Sequence, residues 1–288
     1  MKKGIYILLL LVSFGCEDVI DVDLPETETR LVIDALIRVN EAEPVTNMRI
    51  NASLTSSFFE AVQPAELDVI VIRNIDRETE NTIFLGQSVP GVYEANIPTD
   101  FLTSGNLVLL IQYNEETYVS ATQYTAAPPI DSLIQGENTL FNNNETEVQV
   151  TFTDIANEDN FYLFDFDFDQ FLVSEDTFYK NETFEFSFFY DDDIQVGDTV
   201  DVSIIGIDFL LFNYLNQVIV QAGGSQGPFQ TPSGTVRGNI INVTDVDLMG
   251  RDISDLSLDD LNDITPNENF ALGYFSVNQF FTESLTIQ

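Results

Sequence analysis

The sequence has no histidine and no tryptophan, only one cysteine, and few cations: 10 Lys+Arg against 48 Asp+Glu, for a net charge of −38. Without histidine, the chain lacks the usual general base at neutral pH and the commonest transition-metal ligand. Ser/His/Asp and Cys/His nucleophile systems are therefore excluded. One cysteine cannot form an intrachain disulfide. The charge repels nucleic-acid phosphate, so DNA, RNA and heparin-like polyanions are not expected as partners. Acidity alone fits solubility or salt adaptation as well as it fits cation binding. No phosphate-cradling glycine loop or dinucleotide fingerprint is present, no cofactor is implied, and the chain is not expected to be an enzyme.

What is present is apolar and aromatic. The 288 residues are 44% hydrophobic, with 24 Phe and 10 Tyr. A disordered acidic chain would lack such rings. The length is enough for one large or two medium domains.

Residues 1–16 read MKKGIYILLLLVSFGC. Lys2 and Lys3 precede an apolar stretch from Ile5 to Phe14 that is shorter than the ~20 residues needed to span a bilayer. This is the pattern of a secretory signal peptide. It ends on the only cysteine and resembles a bacterial lipoprotein signal, which implies cleavage before Cys16 and lipid attachment there. Ser13 and Phe14 depart from the strict lipobox; the alternative is a signal peptide cut elsewhere, leaving a free thiol. Glu17 and Asp18, followed by Asp21 and Asp23, resemble the surface-export signal of some Gram-negative lipoproteins, which would place the chain on the outer membrane facing the medium. A flexible acidic tether explains the same residues.

The remainder reads as all-β. Residues 1–15 are expected as signal peptide, 16–29 as acidic tether, 30–127 as an immunoglobulin-like β-sandwich, and 128–288 as a second β-rich domain with one or two short helices. Strands are expected at Arg30–Val39, Met48–Leu54, Leu67–Asn74, Thr82–Leu85, Gly91–Ile97, Asn106–Tyr113 and Glu116–Thr122, separated by Pro, Gly and Asn turns. "AAPPIDSL" (Ala126–Leu133) is expected as a stiff extended connector. Further strands are expected at Glu145–Thr153, Phe161–Val173, Thr183–Tyr190, Thr199–Ile205, Phe270–Asn278 and Glu283–Ile287. Leu211, Tyr214, Leu215 and Val218 fall at helical spacing within 208–221, and Asp255–Ile264 suits a short acidic helix.

One alternation stands out. From Phe164 to Asp169, Phe and Asp alternate strictly, which would put Asp165, Asp167 and Asp169 on one strand face about 6.5–7 Å apart. Asp191, Asp192 and Asp193 cluster in an expected turn. Such carboxylates suit Ca²⁺, although no EF-hand loop is present; a solvated strand face and polar turns account for them equally. Most of the aromatic residues belong in a core, with a partner patch expected around the loop at 223–234.

Several segments together resemble one family: "CEDVIDVDLP" (Cys16–Pro25) followed by "RLVIDALI", "DNFYLF", "YDDDIQVGDTV", "PFQTPSG" and "ENFALGYFSVNQF" (Glu268–Phe280). In order and spacing they are similar to the outer-membrane lipoproteins of domain of unknown function 4249. The resemblance implies a lipid-anchored envelope protein, encoded near TonB-dependent outer-membrane transporters, acting as an accessory or ligand-binding partner of one. It carries no catalytic residues. A structural or adhesive surface lipoprotein, or a Ca²⁺-dependent binding module, are the alternatives.

Overall fold

A computed structural model describes residues 29–56, 60–139, 145–190, 194–222, 234–244, 246, 264 and 269–288. The protein is all-β, with 14 strands joined in one sheet and three in another. The first half holds β1 (Leu31–Val39), β2 (Val45–Leu54), β3 (Gln63–Pro64), β4 (Val69–Asn74), β5 (Thr82–Phe84), β6 (Gly86–Val89), β7 (Val92–Pro98), one helical turn α1 (Thr99–Leu102), β8 (Asn106–Tyr113) and β9 (Glu116–Thr125). In β1, Leu31, Ile33, Ala35, Ile37 and Val39 are buried while Asp34 and Arg38 point outward. β2 buries Thr46, Met48, Ile50 and Ala52 in the same period of two. These faces pack against Ile70, Ile72, Leu107, Leu109 and Ile111 of β4 and β8, so a single aliphatic core lies between two layers.

The second half contains β10 (Ile130–Gln135), β11 (Thr146–Thr153), β12 (Phe161–Asp165), β13 (Phe171–Glu175), a 3₁₀ turn at Asp176–Phe178, β14 (Thr183–Tyr190), β15 (Thr199–Ile207), α2 (Phe209–Ala222) and β16 (Ile241–Asn242). β10-β11-β14 form the three-stranded sheet. It packs on β12 and β15 through Val148, Val150, Phe152, Tyr162, Phe164, Val202 and Ile204.

One strand serves both halves. β17 (Leu272–Thr286) is 15 residues long. Its first part runs parallel to β1, from Val32↔Leu272 to Val39↔Gln279. Its second part runs antiparallel to β15, from Ile205↔Phe280 to Thr199↔Thr286. The two C-terminal strands expected from the sequence are therefore one. The inward residues Phe275 and Val277 belong to the first core, and Phe281 and Leu285 pack on the second.

Three other expectations are corrected. Phe161–Val173 is not one strand: β12 ends at Asp165 and returns as β13, with Phe164↔Leu172 and Asp165↔Phe171 paired. The segment after Pro128-Pro129 is not only a connector, because from Ile130 it pairs with β11. A strand at Gly86–Val89 lies beside β7 where no separate strand was expected. The expected helix is observed at Phe209–Ala222. Asp208 caps it: its carboxylate accepts the Leu211 N–H at 2.7 Å and its carbonyl accepts the Phe212 N–H at 2.9 Å. Leu211 and Leu215 pack with Leu163, Ile205, Ile207 and Tyr274, so the helix lies over the outer face of the sheet where β17 crosses from one core to the other.

Candidate functional site

The Phe/Asp alternation does not give a carboxylate row. The strand stops at Asp165, and Asp167, Phe168 and Asp169 all take positive φ, of 66°, 49° and 59°. The turn is built by its own side chains. The Asp167 N–H donates to Asp165 Oδ1 at 3.1 Å, and the Phe168 N–H donates to Asp167 Oδ1 at 3.0 Å. The Phe166 N–H donates to the Gln170 carbonyl, closing the hairpin. Asp165 Oδ2 also accepts from Arg38 of β1 at 2.7 Å. Among the described residues, no three acidic side chains converge in a grouping that could hold a metal ion. Asp191, Asp192 and Asp193 lie outside the described residues, as do Cys16, Glu17 and Asp18, residues 223–233 of the loop expected at 223–234, and residues 255–263 of the helix expected at Asp255–Ile264.

A cleft near the junction of the two halves has a volume of about 300 Å³ and is lined by Thr125, Ala126, Ile155, Glu158, Asp159, Asn160, Phe161, Ile207, Asp208 and Phe209. Backbone contact makes the junction tight. A Cβ on Gly206 would lie 1.8 Å from the Ala126 carbonyl oxygen, so only glycine fits beneath the connector. Asn278 of β17 donates to the Gly206 carbonyl at 2.6 Å, and the Ala127 N–H donates to Gln279 Oε1 at 3.0 Å. Glu158, Asp159 and Asp208 supply the polar side of the cleft. Phe161 and Phe209 supply its apolar side, with ring centroids 5.5 Å apart. Lys180 pairs with Asp159, whose hydrogen bond raises the lysine pKa. A cleft of rings and carboxylates suits a hydroxylated or cationic ligand with an apolar body. A second hollow of about 440 Å³, at Glu41, Glu43, Pro44, Thr99, Asp100 and Thr103, is wholly polar apart from one proline.

Sequence reasoning missed the carboxylates that hold loops. Glu147, on the outer face of β11, is only 2% exposed. Its oxygens accept from the Ser187 hydroxyl (2.5 Å), the Asn138 N–H (2.8 Å), the Asn138 side chain (2.9 and 3.1 Å) and Gln149 (3.2 Å). The Ser187 bond, with those from Asn138 and Gln149, outweighs burial and holds its pKa down to about 2. A Cβ on Gly136 would meet Glu147 Oε2 at 2.0 Å, which is why the loop crossing the carboxylate begins with glycine. Asp154 accepts from Tyr162 Oη at 2.6 Å and from the Asn181 N–H at 2.8 Å. Burial, reinforced by Asp154, pushes the Tyr162 pKa upward. Asp176 accepts the Asn160 N–H at 3.0 Å. Among 48 acidic residues, nothing in the sequence distinguished Glu147 or Asp176.

The architecture is that of an all-β protein whose two packed cores share a strand, and whose buried carboxylates are satisfied by hydrogen bonds from neutral groups. The chain belongs to the family described as Domain of unknown function (DUF4249), whose model matches residues 17–250. A comparison with curated proteins gives no match. Among the described residues, no helix is long and apolar enough to cross a membrane.

Proposed function

We propose that this protein is a lipid-anchored component of the outer membrane that captures or presents a ligand, without catalysis, beside a TonB-dependent transporter. The observation that carries the reading is Cys16, the only cysteine, placed where a short apolar segment behind Lys2 and Lys3 ends. An exposed unpaired thiol is otherwise a liability, whereas acylation uses it. Membership of the DUF4249 family supports the reading through what the resemblance implies for its members. Within this reading, the first half is an immunoglobulin-like module, and the junction cleft between Phe161, Phe209, Glu158 and Asp208 is the ligand site. Glu17 and Asp18 serve as the surface-export signal.

The test is affinity purification from detergent-solubilised membranes at native expression, with mass spectrometry of the N-terminal peptide. Acyl chains on Cys16 and recovery of a β-barrel transporter are expected. A chain that begins at Met1 or carries an unmodified thiol overturns the anchor. An acylated chain recovered without a barrel overturns the partnership and favours an adhesive or structural surface role.

A further inference from the structure

The surface is not uniformly acidic. Between Asp208 and Arg237 the sequence contains no Asp, Glu, Lys or Arg, although acidic residues are plentiful elsewhere. The described part of this stretch is dominated by α2. Leu211 and Leu215 face the sheet. The opposite side presents Leu210 and Val220, which are 65% and 40% exposed, with Asn216, Gln217 and Gln221 beside them. An exposed helix face of aliphatics and amides carries no charge to repel an anionic surface and no ions to desolvate on contact.

The helix also runs toward the end of the molecule where the described chain begins. Tyr214 packs on Tyr274 with centroids 5.0 Å apart, and Tyr274 is paired with Asp34 of β1. Beyond the helix, the Gly234 N–H donates to Gln221 Oε1 at 2.9 Å. Three residues later, Arg237 stacks on Phe270 at 3.7 Å, and Arg30 stacks on the same ring at 4.1 Å. Arg30 directly precedes β1, so two of the chain's few cations sit where the segment from Cys16 joins the fold. Arg237 is exposed.

We propose that the outer face of α2, together with the Arg30–Phe270–Arg237 stack, is the surface this protein lays against the lipid bilayer that holds its acyl chains. The inference rests on the anchor at Cys16. From Cys16 to Thr29 the chain reaches at most roughly 45 Å. That is ample to let this end settle on the headgroups and too short to carry the fold far from them. Most of the surface is repelled by anionic headgroups. The α2 face approaches without that repulsion, and the exposed Arg237 beside it offers a guanidinium to lipid phosphate. The contact is weak alone, because few apolar side chains insert, and becomes effective through the local concentration that the anchor imposes. As a protein interface the helix is small. Fourteen residues give a strip about 21 Å long and about 10 Å wide, roughly 200 Å², well short of the roughly 800 Å² per partner of a stable complex.

The absence of tryptophan allows a clean test. Leu210→Trp and Val220→Trp each place a sole tryptophan on this face, while Phe84→Trp places one on β5, in the opposite layer, where Phe84 is 70% exposed. The full lipidated chain, with acylation of Cys16 verified by mass, is reconstituted in phosphatidylcholine vesicles containing brominated lipid. Blue-shifted emission and several-fold stronger quenching are expected at positions 210 and 220 than at 84. Arg237→Glu is expected to reduce the difference. Equal quenching at all three positions in an acylated chain overturns the inference and leaves the anchor intact. Missing acylation overturns the anchor itself. Protection at 210 and 220 in native membranes but not in vesicles assigns the face to a protein partner and also overturns the proposal.

Discussion

The two cores use different materials to solve the same packing problem. The first is mainly aliphatic: Ile33, Ile37, Ile50, Ile72, Leu107 and Leu109 interdigitate between two broad layers. The second is aromatic. Phe152 alone meets Tyr162, Phe164, Tyr179 and Phe184 at centroid distances of 5.4, 5.5, 5.5 and 6.1 Å, and Phe166 stacks on Phe188 at 3.8 Å. The sheet contributed by β10, β11 and β14 has only three strands, so few side chains reach inward and each must cover more area. Rings that bury 150–250 Å² each meet that need. Polar support differs as well. In the first half, a buried amide fixes the α1 end: Asn74 donates to the carbonyls of Phe101 (2.8 Å) and Ser104 (2.6 Å). In the second half, carboxylates do this work. The buried, hydrogen-bonded Glu147 makes the aromatic half respond to acid.

The largest effect is expected where one ring has the most neighbours. Phe152→Ala should cost about 4 kcal/mol, against about 3 kcal/mol for Ile72→Ala in the first core, measured by denaturant unfolding. Because β17 belongs to both cores, each variant should still unfold in a single transition. Two resolved transitions, with only the later or earlier one moved, would show that the shared strand does not couple the halves. Gly206→Ala comes next. Its methyl group would enter the Ala126 backbone, and moving the connector should cost about 2 kcal/mol. The wild-type melting temperature in this variant would mean that the junction is looser than its geometry.

Glu147 distinguishes the cores by chemistry. Its folded pKa, about 2, lies below the ordinary value of 4.5. The carboxylate therefore contributes stability that is fully present above pH 4.5 and is lost as the pH falls toward 2. Glu147→Gln puts an amide among donors from Ser187, Asn138 and Gln149 and should cost about 1.5 kcal/mol at pH 7. The deficit should shrink toward zero near pH 2. A deficit independent of pH would show that the carboxylate is replaceable by shape alone.

Period-two alternation and turn residues made the all-β class legible, and strand Thr183–Tyr190 was read with its observed limits. The helix was legible because Leu211 and Leu215 repeat at four residues. The hairpin at Phe166–Gln170 was hidden because the Phe/Asp alternation continues through it; side-chain-to-backbone bonds from Asp165 and Asp167, rather than propensity, drive those residues to positive φ. β17 read as two strands because the side that faces a core changes partner near Gln279, a tertiary event with no local signature. The junction cleft was equally hidden, since Thr125, Phe161 and Phe209 are distant in sequence. The signal ending at Cys16 resembles a lipoprotein anchor in the sequence alone, and the acylation measurement tests that reading.

The smallest effect concerns an ion pair that joins the two halves. Arg38 of β1 meets Asp165 of β12 at 2.7 Å, with the side chains 40% and 20% exposed. Solvent on both sides screens the attraction, and ordering the long arginine offsets part of it, so the pair should contribute about 0.5 kcal/mol. A double-mutant cycle with Arg38→Met and Asp165→Asn isolates it, because asparagine keeps an oxygen for the Asp167 N–H. The coupling should fall as salt rises. A coupling above about 2 kcal/mol would shift the explanation of how the halves are joined from the shared strand to this single contact. The hydrogen-bonded length of β17, spanning eight residue pairs with β1 and seven with β15, argues that the strand carries the junction and that the ion pair only trims its orientation.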